Sequence, residues 1–187
     1  TLVPVRYKGD FSIEDSRIVT HVDVVASQQA GLGMSLIPFV SHDDAMRALM
    51  GANQQRQAVP LVKQQAPLVG TGMEEVVARQ SSWGIFAEED GEVLYCDANS
   101  LSVKYSKSGV KEYRIISFYR SNDNQCFTQK PIVEVGQKFK KGDVLVDGPT
   151  MVDGEFSAGT NIRAALMFYE GNNYEDSAVI SERIVRD

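Results

Sequence analysis

From residue 67 onward the chain is written in short β-branched and aromatic runs, at 92–96, 101–105, 113–119, 132–135 and 144–146. Each is bounded by Gly, Asn, Asp or Pro, and the repeat is about ten residues. Runs of that length are too short for helices. Their spacing is that of the strands in barrels and sandwiches. Asp97-Ala98-Asn99-Ser100 reads as the hairpin loop between two of the runs. The fold class expected is therefore mainly β.

Upstream, residues 1–40 are mixed in texture. They hold a strand-like run at 22–25, a Gly31-Leu32-Gly33 punctuator and an apolar run at 36–40. The clearest helix signal follows. Ser41 is placed to act as N-cap, with Asp43 and Asp44 near the positive helix end. Ala45, Met46, Ala48, Leu49, Met50 and Ala52 continue the helix, Gly51 interrupts it, and Pro60 closes the region.

Composition narrows the function classes. A chain of 187 residues suffices for one ordinary domain or two small ones, and 43% hydrophobic with 24% charged residues is typical of a globular protein. Lys plus Arg number 19 against 25 Asp plus Glu, a net charge of −6 that argues against a free-standing nucleic-acid binder. It leaves room for a piece of a larger assembly whose basic channel is lined by other segments. No apolar run reaches the roughly 18 residues of a membrane span, so no membrane association is expected. Residues 1–6, TLVPVR, lack the basic-then-apolar layout of a signal peptide. Cys96 and Cys126 are isolated thiols without CxxC spacing, which fits a reducing cytoplasm and no zinc site. With only His21 and His42, a His-rich metal centre is not expected. No internal repeat or low-complexity tract interrupts the chain. Its last residues, 184–187, break off in mid-pattern, as expected of an internal fragment.

Four segments have residues capable of chemistry. In the first, at 41–60, Arg47 and Arg56 stand among acids and amides. Asp43 and Arg47, four apart, could form a plain surface pair worth a few tenths of a kcal/mol. Alternatively, Arg47 offers its planar fork to a phosphate, with Asp44 and His42 orienting it. On a continuous helix Arg47 and Arg56 point to opposite faces, so a shared ligand would require Gly51 to bend or end the helix. The second segment, at 171–177, puts Glu175 and Asp176 side by side after a Gly-Asn turn. It is either a solvated acidic turn or a pair of oxygen donors near a divalent cation. The third, at 135–149, resembles the turns of lipoyl and biotinyl carriers, yet it lacks their modified-lysine tip and is read as structural. The fourth, at 67–74, invites a phosphate-loop reading. It is rejected because it lacks the Gly-Lys-Ser/Thr ending and a following helix.

Taken in order, these segments resemble one family. Ser35-Leu36-Ile37-Pro38-Phe39, His42-Asp43-Asp44-Ala45, Arg47-Ala48-Leu49-Met50-Gly51-Ala52-Asn53 and Gln55-Arg56-Gln57-Ala58-Val59-Pro60 look like the active-centre stretch of the beta subunit of bacterial-type multisubunit DNA-directed RNA polymerases. Residues 67–74 resemble the next block of that subunit. Tyr119-Arg120-Ser121-Asn122 with Asn124 and Gln129, then Gly142-Asp143-Val144-Leu145 with Asp147-Gly148-Pro149, resemble two more. Gly171-x-Asn173-Tyr174-Glu175-Asp176 and Ile180-Ser181-Glu182-Arg183 complete the series. The likeness runs from about residue 5 to the end.

The resemblance implies that Arg47 and Arg56 lie near the phosphates of the incoming nucleoside triphosphate, with Asp44 influencing substrate selection, and that Gln57 lies along the RNA–DNA hybrid. It implies that Glu175 and Asp176 sit close to a shared second magnesium ion (Mg2+). The essential Mg2+ is held by the partner beta prime subunit, with alpha subunits, sigma factor and template DNA as the other partners. Met46 stands where the family usually has Asn, and Tyr174 where it usually has Phe. The fold implied is a connector with a short active-centre helix at 1–62 and a barrel-like sandwich module at 63–158. The opening strands of a larger, double-psi-type β-barrel, incomplete here, would follow at 159–187. The function expected is a contribution to template-directed RNA synthesis by a cytoplasmic enzyme, the chain alone being inactive. A non-catalytic scaffold or assembly piece of such a polymerase is the alternative. A carrier-like barrel is a third class, opposed by the missing lysine tip.

Overall fold

Two-residue hairpin turns that match strand twist need positive φ at both central residues, and Lys8 (φ 51°) and Gly9 (φ 99°) supply it. They join β1 (Leu2–Tyr7) to β2 (Asp10–Asp15), paired antiparallel with Tyr7 opposite Asp10. Asp15 then accepts a hydrogen bond from the Arg17 N–H (3.0 Å) and opens a short 3-10 turn at Ser16–Ile18. The computed structural model describes residues 1–22, 24 and 30–187. They form two units, Thr1–Leu32 and Gly33–Asp187. The strand-like run at 22–25 includes residues 23 and 25, which lie outside the described residues.

α1 (Leu32–Ser35) starts at the last residue of the first unit, and the second unit continues with α2 (Ala45–Arg56) and α3 (Glu74–Gln80). Its β-structure follows the expected ten-residue rhythm. β4 (Gly91–Cys96), β5 (Ser100–Tyr105) and β6 (Gly109–Arg114) are consecutive antiparallel neighbours, and β10 (Lys138–Phe139) pairs with the free edge of β4. A second sheet has β11 (Val144–Asp147) between β3 (Ile85–Phe86) and β9 (Lys130–Pro131). Hairpins β7–β8 (Tyr119–Arg120, Cys126–Phe127) and β12–β13 (Met151–Val152, Glu155–Phe156) are separate two-stranded pairs. The Asp97 loop forms as expected: its carboxylate accepts from the Asn99 and Ser100 N–H groups at 2.7 and 2.6 Å.

Period-two alternation places the core. Leu101, Val103 and Tyr105 of β5 are fully buried, and Lys104 between them is exposed. They pack with Val93, Ile115, Val133, Phe139, Leu145 and Val146, so both larger sheets contribute to one core. Burying a side chain of this size stabilises by about 1.5–3 kcal/mol. Gly91 lies in register between Phe139 and Tyr105, whose rings meet edge to face at 5.8 Å. A methyl at Gly91 would come within 2.4 Å of the Lys104 carbonyl oxygen and 2.8 Å of the Phe139 ring, so only glycine fits this close approach.

Two expectations need correction. The run at 113–119 is not a strand; β6 ends at Arg114, because its partner β5 begins at Ser100 opposite it. Beyond that point the Ile115 and Ile116 N–H groups go to the Asn99 carbonyl and the Gln129 side chain. The run at 132–135 contributes only its flank, β9, and Glu134 turns back onto the Gln137 side chain. In this chain residues 157–181 hold no strand; the stretch after β13 is irregular up to the five-residue α4 (Glu182–Arg186). Leu166 and Phe168 in this stretch are fully and 80% exposed. A strand needs a ladder of backbone hydrogen bonds to a neighbour, and among the described residues this segment's bonds to earlier parts of the chain are isolated ones near its start, at Ser157, Gly159 and Asn161. The architecture is mainly β with few helices, and neither sheet closes into a barrel.

Candidate functional site

The N-terminus of α2 is capped by Asp44, not Ser41. The Asp44 carboxylate accepts from the Met46 N–H at 3.1 Å, and Asp43 accepts from the Asp44 N–H at 2.8 Å. Ser41 lies one turn earlier, inside a 3-10 turn at Val40–His42. Residue choice explains this, because Asp is as good a cap as Ser and stands directly before the alanine- and leucine-rich run.

The helix continues without a break through Gly51 to Arg56. Gly51 does not bend it; its bare Cα lets Ile37 approach, with the Ile37 Cδ1 methyl 3.4 Å from where a Cβ would stand. Gly33 similarly faces the Ala52 methyl. Ala48, Gly51, Ala52 and Gln55 thus form the packed face. At 100° per residue Arg47 and Arg56 fall on either flank of that face, roughly 180° and roughly 13 Å apart along the axis. Both are exposed. The structure therefore presents both arginines without bringing them together.

Among the described residues, neither arginine is held by an acid. Arg47 Nη1 donates to the Met50 sulfur at 3.6 Å, and among the described residues it makes no ion pair with Asp43. The surface-pair reading of Asp43 and Arg47 and the orientation of Arg47 by Asp44 and His42 are both replaced by this contact. Arg56 donates to the Asn53 side-chain oxygen. Gln57 is exposed and is the C-terminal cap residue, its N–H reaching the Gln54 carbonyl at 3.1 Å.

Glu175 and Asp176 lie in the irregular stretch, in a turn braced by Asn173. The Asn173 amide donates to the Met167 carbonyl at 2.7 Å and accepts from the Tyr169 N–H at 3.1 Å. Glu175 takes a positive φ of 54°. Both carboxylates are exposed, and among the described residues no hydrogen bond or ion pair reaches either. Magnesium prefers oxygen ligands and is commonly held by one or two carboxylates together with phosphates and water. The pair fits that chemistry as a partial donor set. Among the described residues no group of three or more His, Cys, Asp or Glu side chains gathers at one place.

The segment at 67–74 does precede a helix, contrary to expectation. Glu74, the first residue of α3, is buried, and its carboxylate accepts from the Thr71 and Gly72 N–H groups, each at 2.8 Å. Burial alone would raise its pKa, yet these hydrogen bonds outweigh burial and hold it below the usual value. The loop is thus filled by its own carboxylate, which leaves no cradle for a phosphate. In the segment at 135–149, Asp147 is buried and accepts from the Asp153 and Gly154 N–H groups at 2.8 Å. Gln129 likewise joins the Ile116 N–H to the Trp83 carbonyl. These residues brace turns. No helix among the described residues is long and apolar enough to cross a membrane.

A seam missed by sequence reasoning joins residues 62–66 to the end of the β-rich part. Gln65 N–H donates to the Gly159 carbonyl (3.1 Å), the Gln65 side chain accepts from Asn161 N–H (3.0 Å), and Lys63 pairs with Asp187 at 3.3 Å. Its only sequence signal is amide side chains where loops are expected, which specifies no partner.

Comparison with known proteins assigns the family. The family model described as RNA polymerase Rpb2, domain 6, matches residues 86–187. The chain is 47% identical to DNA-directed RNA polymerase subunit beta of Sorangium cellulosum, over all of this chain and 14% of that protein. It is also 47% identical to the subunits of the same name from Oleidesulfovibrio alaskensis, over 99% of this chain and 14% of that protein, and Bdellovibrio bacteriovorus, over 97% and 13%. It therefore spans about a seventh of the length of these relatives. With the family model matched over more than half of its residues, and similarity running through the helix and turns described above, the chain belongs to the RNA polymerase Rpb2 domain 6 family.

Proposed function

We propose that the chain is part of the beta subunit of a bacterial-type DNA-directed RNA polymerase, and that it contributes nucleotide- and hybrid-contacting residues to template-directed RNA synthesis. The observation that carries this reading is α2: an unbroken helix with two exposed arginines that no acid neutralises among the described residues, in a chain 47% identical to beta subunits along its whole length. Phosphoryl transfer asks a protein chiefly for positioning and charge stabilisation. Arg47 and Arg56 provide forks for phosphate oxygens, Asp44 fixes the start of their helix next to the nucleotide, and Gln57 reaches the RNA–DNA hybrid. Because the two arginines flank the helix, they address different groups of the substrate complex instead of one phosphate.

Glu175 and Asp176 would help to hold a second Mg2+ shared with the nucleotide and with beta prime. When bound, that ion neutralises charge on the phosphates. The two carboxylates supply oxygen donors on a turn that Asn173 keeps in place. The partners in this reading are beta prime, alpha subunits and sigma factor, together with template DNA and nucleoside triphosphates, in the cytoplasm. In the assembled subunit residues 1–62 would be the connector and active-centre helix, 63–158 the sandwich-barrel module, and 159–187, irregular in the chain by itself, the opening strands of a double-psi-type barrel completed by further sequence. The bare apolar side chains of that last stretch support such a completion.

Single-nucleotide addition by the assembled enzyme tests the reading. Arg47→Ala removes a charge-assisted bond worth about 1.5–3 kcal/mol, so nucleotide use should fall about tenfold to a hundredfold. Unchanged addition would return Arg47 to an ordinary surface role. The 187-residue chain alone should add no nucleotide to a primed template.

A further inference from the structure

The outer face of α2 carries an unusual neighbourhood. Met50 stands three residues after Arg47 and Met46 four residues before Met50, so the three side chains share one side of the helix. Met46 and Met50 are 65% and 48% exposed, and the packing of Ile37 and Gly33 is on the opposite side. The Arg47 guanidinium, which no acid holds among the described residues, rests on the Met50 sulfur.

A thioether is a weak acceptor and releases a guanidinium easily. A sulfoxide is polar and presents an oxygen to the same donor. We propose that Met50 is a peroxide-sensitive modification site whose oxidation restrains Arg47. The inference rests on the reading of Arg47 as a phosphate-facing residue. In the step, a sulfur lone pair attacks the terminal oxygen of a hydroperoxide, the S–O bond forms and the O–O bond breaks. The proton on the transferred oxygen passes to the departing oxygen, which leaves as water or an alcohol. Sulfur is oxidised by two electrons and the peroxide is reduced by two. The new oxygen lies within reach of Arg47 Nη1 and competes with phosphate for the fork.

The experiment uses the assembled polymerase containing this sequence, treated with hydrogen peroxide, with sulfoxide located by tandem mass spectrometry and single-nucleotide addition measured in parallel. Met167, 58% exposed in the irregular stretch, serves as the internal standard for reagent access. Oxidation at Met50 should raise the nucleotide KM about threefold to tenfold with kcat nearly unchanged, as expected when binding rather than chemistry is weakened. Methionine sulfoxide reductases acting on both epimers should restore it. In Met50→Leu, compared with its own untreated enzyme, peroxide should leave KM alone. The proposal is overturned if Met50 stays reduced while Met167 is oxidised, if KM does not move when Met50 is oxidised, or if the KM change persists in Met50→Leu. Arg47→Ala separates the two layers. If it leaves nucleotide KM and kcat unaltered, the reading of Arg47 fails; if it impairs nucleotide use while peroxide has no effect, only this inference does.

Discussion

Two adjacent carboxylates repel, and a divalent cation relieves that repulsion. Among the described residues no hydrogen bond or ion pair reaches Glu175 or Asp176, and the proposed function makes them donors to a magnesium ion. In the assembled polymerase, Asp176→Asn should raise the magnesium concentration for half-maximal nucleotide addition, whereas changes at the exposed Glu88 should not. A magnesium titration of both variants against wild type decides this, and equal midpoints would make the pair a solvated turn. Glu74 shows the opposite use of a carboxylate. Its pKa is lowered in the folded chain, so folding favours the ionised form. That contribution is fully present above the unfolded value of 4.5 and fades as pH falls through the folded value. Glu74→Gln should therefore lower the urea midpoint at pH 7, and the gap to wild type should narrow as pH drops below about 4.5. A gap that does not change with pH would mean that shape, not charge, holds the loop.

At the scale of elements, strand order depends on a few close approaches. Gly91 admits the Phe139 ring and the Lys104 carbonyl, so Gly91→Ala forces β4 away from β5 or β10. Overpacking of this kind costs about 1–3 kcal/mol, to be read as a lower thermal or urea midpoint with β4 amides losing protection first. The sequence made β4, β5 and β11 legible because each has its own alternation and its own turn residues. The run at 113–119 invites a strand reading because it is mostly aromatic and β-branched, while the true strand, at 109–114, includes Gly109, Lys111 and Glu112. Its position comes from pairing with β5, a non-local constraint that composition does not reveal. The candidate helix was likewise legible in position but not in detail. Asp44 displaced Ser41 as cap, and the Arg47–Met50 contact has no sequence signature, because a thioether is not an expected partner for a guanidinium.

At the scale of the molecule, the β-rich part and the stretch after it differ in how their backbone is satisfied. β5 is paired along its length with β6 on one side and, with one irregularity between Val93 and Tyr95, with β4 on the other, whereas residues 161–168 make few backbone bonds. In the isolated chain, amide hydrogen exchange should be slow at Val93, Leu101 and Val103 and fast at 162–168. Equal protection would mean that the latter stretch already forms a hidden sheet. Assembly with further sequence should then slow exchange selectively in the same stretch. The exposed side chains there also set the company the chain can keep. Leu166, Phe168, Tyr174, Val179 and Ile180 are bare on a molecule whose net charge is only −6. Apolar surface attracts its like at short range, and so modest a charge gives weak long-range repulsion that salt screens. Crowding such chains during synthesis favours clumping, and the remedy is kinetic: the neighbouring segments must cover this ribbon before a second copy finds it.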